Sequence, residues 1–393
     1  MVPFKGKDAV KEINTMKKCV IIPDSFKGSM DSIEICELAS AKVKKFFPDC
    51  EVISLPVADG GEGTVECFLH AMKGEKLTVK VHGPYMEQVE SFYGRFGDLA
   101  VIEMAAAAGL PMVGDRLNPK LTTTYGVGEL IHHAVEHGAK KIILGLGGSS
   151  TNDAGCGCAS ALGVKFQKAD KSMFVPTGGT LEQVASIDIS EAAKFLNGVE
   201  ITAMCDIENP MHGTTGAAYI FGPQKGADPE MVKELDRQLI HIDKIIQQSL
   251  NMNVSQLSGA GAAGAFGAGV VAFLGGKLKS GIETVLDIVG FDRIIQGADA
   301  VFTGEGKIDS QSLRGKVVIG VSRRAMKYDV PVYAVVGDVS DEAVAAYDMG
   351  VTAIFSINRL AVPFSVARTR SKVDFQSAFE DILRLIQSVE TRR

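Results

Sequence analysis

The run KKIILGLGGSSTNDAG, Lys140 to Gly155, reads as a buried strand opening straight into glycines and oxygen-bearing side chains. Ile142, Ile143 and Leu144 form the short apolar run of a sheet interior, and Gly145, Gly147 and Gly148 let backbone N–H groups approach an anion closely. Ser149, Ser150, Thr151, Asn152 and Asp153 then place hydroxyls, an amide and a carboxylate in successive positions. Hydroxyls and amides suit phosphate oxygens, and a carboxylate suits a hard cation such as Mg²⁺. The same residues also serve a polar turn that caps the next helix. A strand feeding such a loop belongs to an α/β sheet.

The same grammar recurs along the chain. Cys19–Ile22 reads as the first strand; Asp31 with Glu34 resembles a capping box, followed by Ile35, Leu38, Ala39, Val43, Phe46 and Phe47 at helical spacing, and Glu51–Val57 is the next strand. Ala300–Thr303, Val332–Val336 and Ala353–Ile357 are further strands, with a helix over Val317–Lys327. The middle differs in texture, with an extended stretch over Leu77–Val101, an alanine-rich turn at Met104–Gly109 and a strand over Val199–Met204. Two domains are expected: residues 1–75 plus 290–393 as one parallel sheet assembled from both chain ends, and residues 76–289 as an inserted α/β domain.

With 393 residues, 46% of them hydrophobic, the chain can bury a large core. Lys and Arg total 41 against 47 acidic residues, a net charge of −6, and no polybasic block occurs, so nucleic acid and anionic membranes are not expected partners. A small-molecule substrate is the default. Seven scattered cysteines without a CxxC pair suit a reducing cytosol. His133 and His137 share a helical face, but no nearby ligands complete a zinc site. The first 17 residues are polar and do not read as a secretory signal, so none is expected. Ser258–Gly276 is uncharged, yet 13 of the 18 residues from Gly259 are Gly or Ala, which suits a glycine-rich loop entering a buried helix better than a membrane span.

In open α/β sheets, ligands sit beyond the carboxyl ends of the strands. Those ends are charged here: Asp24, Ser25 and Lys27; Asp59 and Glu62; Glu305, Lys307 and Asp309; Asp338. Asp206 follows the 199–204 strand as a candidate base or metal ligand, or as an Asx turn before Pro210. Lys225 lies in a glycine turn, and Thr122, Thr123 and Thr124 precede a helix running to about His137; either element suits phosphate, carboxylate or a cap. Carboxylates, glycine turns and lysines are what phosphoryl transfer requires. Walker A, protein-kinase and GxSxG patterns are absent. One rival signal is Gly259-x-Gly261-x-x-Gly264 with Glu283 beyond it, although the polar residues before it do not read as a strand.

PDSFKGSM (23–30), PVADGGEGTVE (56–66), VIEMAAAAGL (101–110), NPKLTTTYGVGELI (118–131), GLGGSSTNDAG (145–155), CDIENP (205–210), FGPQKGA (221–227), GAGAAGAFGAG (259–269) and TGEGKIDSQSLRGK (303–316) follow one another as in the bacterial type 1 glycerate kinases, which the chain resembles over residues 18–370. The resemblance implies ATP-dependent, Mg²⁺-assisted phosphorylation of D-glycerate in the cytoplasm, favouring 2-phosphoglycerate over the 3-phosphate. It also implies a flavodoxin/Rossmann-like domain and one with a restriction-endonuclease-like fold. Ala154 and Ala265 stand where the family often has Gly, and Glu208 where Asp is common.

For direct in-line transfer, Lys27, Lys307, Arg314 and Lys316 are expected to hold carboxylate or polyphosphate, because a short anionic substrate needs cations. Ser25, Glu62, Thr123, Thr124, Gly147, Gly148, Ser149 and Lys225 are expected to line the substrate and phosphates. Asp59 or Asp206 would orient the hydroxyl, with Lys27 beside it, and Asn152, Asp153 and Glu305 are candidates for the Mg²⁺ shell. A dinucleotide-dependent hydroxyacid dehydrogenase using the 259–264 glycines, or a non-catalytic nucleotide-binding regulator, are the alternatives.

Overall fold

The computed structural model describes residues 16–58 and 60–390. Two compact units divide the chain, one running to Pro56 and resuming at Phe291, the other spanning Val57–Gly290. Both are mixed α/β structures with parallel strands.

The first unit holds a five-stranded, wholly parallel sheet in the spatial order Ala353–Ser356, Val332–Val336, Ala300–Gly304, Lys18–Pro23, Glu51–Ser54. Counted along the chain within this unit and read from the Glu51–Ser54 edge, that is the order 2-1-3-4-5. Its central strands are mostly apolar and buried because helices cover both faces, leaving no side for water. Along Val332–Val336, Val335 packs with Ile35, Ala39, Phe375 and Phe379, while Ala334 and Val336 turn to Val318, Ile319 and Ala346 on the other face. Asp31 caps the Ser32–Phe46 helix, accepting from Glu34 N at 2.8 Å, as its sequence spacing predicts. The order reverses between Lys18–Pro23 and Ala300–Gly304, so the crevice position of such sheets falls where Asp24 and Glu305 leave their strands.

The second unit is built on a six-stranded sheet ordered Lys277–Lys279, Glu200–Met204, Lys141–Gly145, Leu99–Glu103, Gln88–Phe96, Glu75–His82; the first four are parallel and the last two antiparallel. The stretch expected to be extended over Leu77–Val101 is thus a hairpin plus the start of a third strand. The expected turn at Met104–Gly109 contains a helical turn, Ala105–Ala108. The Thr64–Ala71 helix, assigned from sequence to the chain ends, packs here on Gln88–Phe96 and Leu99–Glu103, with Phe68 against Phe96 at 6.1 Å between ring centroids. The chain leaves the first sheet at Pro56, so the apolar face of this helix has its partners in the second.

Ala262–Leu274 is a buried helix, and among the described residues none is long and apolar enough to cross a membrane. Its opening is irregular: Ala263, Gly264 and Ala265 are left-handed, with φ of 55°, 67° and 69°. Ala154 is also left-handed, at φ 53°, and its N–H donates to Gly264 O at 3.1 Å. Ala154 and Ala265 therefore occupy backbone positions that glycine fills without strain. Replacing either buried Ala by Gly is expected to shift stability by less than about 0.5 kcal/mol, because relief of ~1–2 kcal/mol of left-handed strain offsets the lost methyl and added chain entropy. Ala203→Gly, in the regular 200–204 strand, should lose about 1.5 kcal/mol by comparison. Urea unfolding of the three variants tests this.

Candidate active site

In the second unit, the Lys141–Gly145 strand delivers the glycine loop to the carboxyl edge of the sheet, where it meets residues 60–63. A Cβ on Gly145 would lie 2.3 Å from Gly60 O, and one on Gly147 would lie 2.6 Å from Gly61 Cα. Gly147 N donates to Gly60 O at 3.0 Å, so this N–H, expected to cradle phosphate, is spent inside the protein. Gly148 and Glu62 lie exposed on the two loops. Asp59 falls outside the described residues.

Glu103, which the sequence reading missed, fixes the neighbouring turn. It is buried at the end of its strand and accepts from Val65 N at 2.6 Å and Gly63 N at 3.2 Å, occupying the N-terminus of the Thr64–Ala71 helix. Burial raises its carboxyl above the ordinary range while these two donors pull it back. The strand-end rule points to Glu103, but the rule needs the strand boundary, and the 77–101 stretch concealed it.

Asp153 is fully buried and ringed by donors: Thr124 N at 2.8 Å, Thr124 Oγ1 at 2.9 Å, Gly155 N at 3.1 Å, Gly157 N at 3.2 Å and Thr123 Oγ1 at 3.5 Å. A carboxylate so occupied is a clamp joining two loops, and it does not fit a cation. Thr123 and Thr124 spend their hydroxyls on it and are themselves buried, so they are not open to phosphate. Asn152 is fully buried with both amide atoms unpartnered, which places it beneath the loop and away from its rim. Lys225 is likewise buried, donating to Ser149 Oγ at 2.8 Å and Thr151 O at 2.7 Å. Burial lowers it to about 7, against the pull of Asp153. Asp206 accepts from Gly281 N at 2.8 Å and Ser280 Oγ at 3.1 Å, capping the Gly281–Val289 helix, an engagement that argues against its being the base.

In the first unit, Asp24 N donates to Gly304 O at 2.8 Å, tying the 24–30 turn to the next strand end. Lys27 is exposed on this turn and Ser25 is half-buried; a Cβ on Gly306 would lie 3.4 Å from Lys27 N. Lys307, exposed, lies 3.6 Å from Asp338; Arg314 is exposed, and half-buried Lys316 donates to Gln311 Oε1 at 3.2 Å. Among these cations Glu305 is 4% exposed, and its Oε1 has no hydrogen-bond partner. Its carboxyl is raised to about 7, chiefly by burial and further by Asp24 and Asp309, while the Ser312 hydroxyl and Lys316 act the other way.

Among the described residues no three His, Cys, Asp or Glu side chains gather to hold a metal. Of the expected Mg²⁺ ligands, Glu305 fits best, as a single carboxylate with an unfilled oxygen; Mg²⁺ commonly takes one or two carboxylates and draws its other ligands from substrate phosphates and water. The GxGxxG glycines follow turns and no strand, and they serve packing: Cβ atoms on Gly261 and Gly264 would lie 2.3 Å from Pro210 O and 2.1 Å from Thr151 O. A depression of about 600 Å³ lined by Lys168, Glu182, His241 and Ile245 lies apart from every one of these motifs.

Comparison with known proteins gives one answer. The model of the glycerate kinase family matches residues 19–387. A glycerate kinase of Bacillus cereus is 48% identical over 86% of this chain and 90% of its own length. A glycerate 2-kinase of Escherichia coli is 44% identical over the same shares, 86% and 90%. A Salmonella typhimurium LT2 crystal structure with a provisional glycerate kinase 2 designation superposes with a TM-score of 0.84 at 39% identity, covering 95% of this chain and 99% of that one. The chain belongs to the glycerate kinase family and is thereby a phosphotransferase.

Proposed function

We propose that this chain transfers the terminal phosphoryl group of ATP, supplied as its Mg²⁺ complex, directly to the 2-hydroxyl of D-glycerate. The observation that carries the reading is the set of cations Lys27, Lys307, Arg314 and Lys316 around the strand ends where the first sheet reverses order. Polyphosphate needs such charges, and in-line transfer needs little beyond alignment and neutralisation. Bound Mg²⁺ would withdraw charge from the phosphate oxygens, with Glu305 as its protein contact. Asp59 is proposed to orient the hydroxyl, since Asp206 is engaged as a helix cap. The designation of the Escherichia coli relative as a glycerate 2-kinase supports the 2-position. The strand order 2-1-3-4-5 supports the flavodoxin-like description of the first unit. Seven free thiols support a cytoplasmic setting.

The test is ATP, Mg²⁺ and D-glycerate with ADP followed and the product examined by proton-coupled phosphorus NMR. A 2-phosphate couples to one proton and gives a doublet; a 3-phosphate couples to two and gives a triplet. No ADP formation sinks the proposal, and a triplet moves the transfer to the 3-hydroxyl. Asp59→Asn should lower kcat by ~10²–10⁴-fold if that carboxylate takes the hydroxyl proton.

A further inference from the structure

Six hydroxyls surround the 149–153 loop, and four are spent on protein acceptors. Thr122 donates to Ser150 O at 2.9 Å, Ser150 to Ala108 O at 2.9 Å, and Thr123 and Thr124 to Asp153 at 3.5 and 2.9 Å. The Thr151 hydroxyl is unpartnered but fully buried. Ser149, 7% exposed and next to exposed Gly148, instead accepts a hydrogen bond from Lys225 Nζ at 2.8 Å. Lys225 is 1% exposed and gives a second hydrogen bond to Thr151 O at 2.7 Å, so it does not reach a ligand on the loop rim.

An ammonium group can only donate. The Ser149 oxygen is therefore occupied as an acceptor on the lysine side, and its own proton is free to point outward. We propose that Lys225 is a positioning residue that makes Ser149 a hydrogen-bond donor to an anionic oxygen of the substrates, either the glycerate carboxylate or the terminal phosphoryl of the nucleotide. This rests on the kinase reading above. Asp153 is the charged group that acts on Lys225, and its hydrogen-bond partners, Ser149 and the Thr151 carbonyl, do not titrate. Once deprotonated, near pH 7, the amine keeps two N–H groups but gains a lone pair that competes for the Ser149 proton, so the hydroxyl is no longer held as an outward donor.

Steady-state kinetics of the full chain from about pH 6 to about pH 9 test this. In the parent, KM for one substrate should rise about tenfold as pH passes 7. If KM for glycerate moves, the oxygen is the carboxylate; if KM for ATP moves, it is the phosphoryl. Ser149→Ala should give a high, pH-independent KM. Lys225→Arg, which stays charged, should keep KM low and flat. In the Ser149→Ala background, Lys225→Met should add nothing to KM. Any inflection from Glu305 persists in all these variants and is subtracted by comparison. Multiplying losses in the double variant, or a pH-dependent KM surviving in Ser149→Ala, overturns the proposal even if Lys225→Arg fails to fold. Absence of ADP formation by the parent overturns the kinase reading and takes this proposal with it.

Discussion

Asp153→Ala is expected to lose about 3–5 kcal/mol of stability, the largest effect of any single substitution in the glycine loop. The carboxylate accepts from the backbone N–H of Gly155 in its own loop, from that of Gly157 in the first turn of the Cys156–Ala161 helix, and from the backbone and hydroxyl of Thr124 on another loop, all within 3.2 Å. Truncation leaves those donors buried and unpartnered, at ~1–3 kcal/mol for each that water cannot reach. Asp153→Asn should fall between, because its amide keeps one acceptor but turns an NH₂ toward donors. Urea unfolding in EDTA followed by circular dichroism reads the effect. A metal ligand would behave differently: its loss would leave metal-free stability nearly unchanged and raise the Mg²⁺ requirement of turnover. An Asp153→Ala protein unfolding with the parent midpoint in EDTA would therefore restore the cation reading.

The sequence disclosed what depends on neighbours along the chain. Apolar runs such as Cys19–Ile22 and Val332–Val336 mark central strands because both faces are covered, and Asp31 with Glu34 marks a helix start because a cap bonds three residues ahead. The strands Lys165–Gln167, Met173–Phe174 and Ser186–Asp188 were not legible, since two or three residues carry no period. Site roles failed where the partner is distant. Asp153 resembles a metal ligand until Thr124, 29 positions earlier, is seen to fill it. Lys225 reads as a turn lysine that meets the substrate or its phosphates until burial and its bonds to Ser149 and Thr151 appear. Glycines at 145 and 147 were legible as close-approach positions, but the group approaching is the backbone of residues 60–61.

Glu305→Gln should stabilise the fold at pH 8 and slow the reaction. The carboxyl is 4% exposed, and its Oε1 lacks a partner. Burial first, then Asp24 and Asp309, raise it from 4.5 to about 7. Between those values the folded protein holds a proton that the unfolded chain has released, so stability present below pH 4.5 is lost as pH rises through 7. At 1.36 kcal/mol per tenfold difference in proton affinity, the gap approaches ~3 kcal/mol, and less after the relaxation a real site allows. Glutamine keeps the shape without the charge. Its stability advantage over the parent should therefore be about 1–3 kcal/mol at pH 8 and close to zero below about pH 4.5. Thermal unfolding in EDTA at the two pH values measures it. Turnover should fall by ~10²-fold or more, because a buried carboxylate with one oxygen left unfilled at a strand end is costly to keep and useful only when a cation or a proton meets it. Mg²⁺ with ATP should accordingly raise the melting temperature of the parent more than that of the variant, since ligand binding to the folded state repays the charge only where the charge exists. Equal stability at pH 8 with unchanged turnover would show that Glu305 is an ordinary solvated carboxylate.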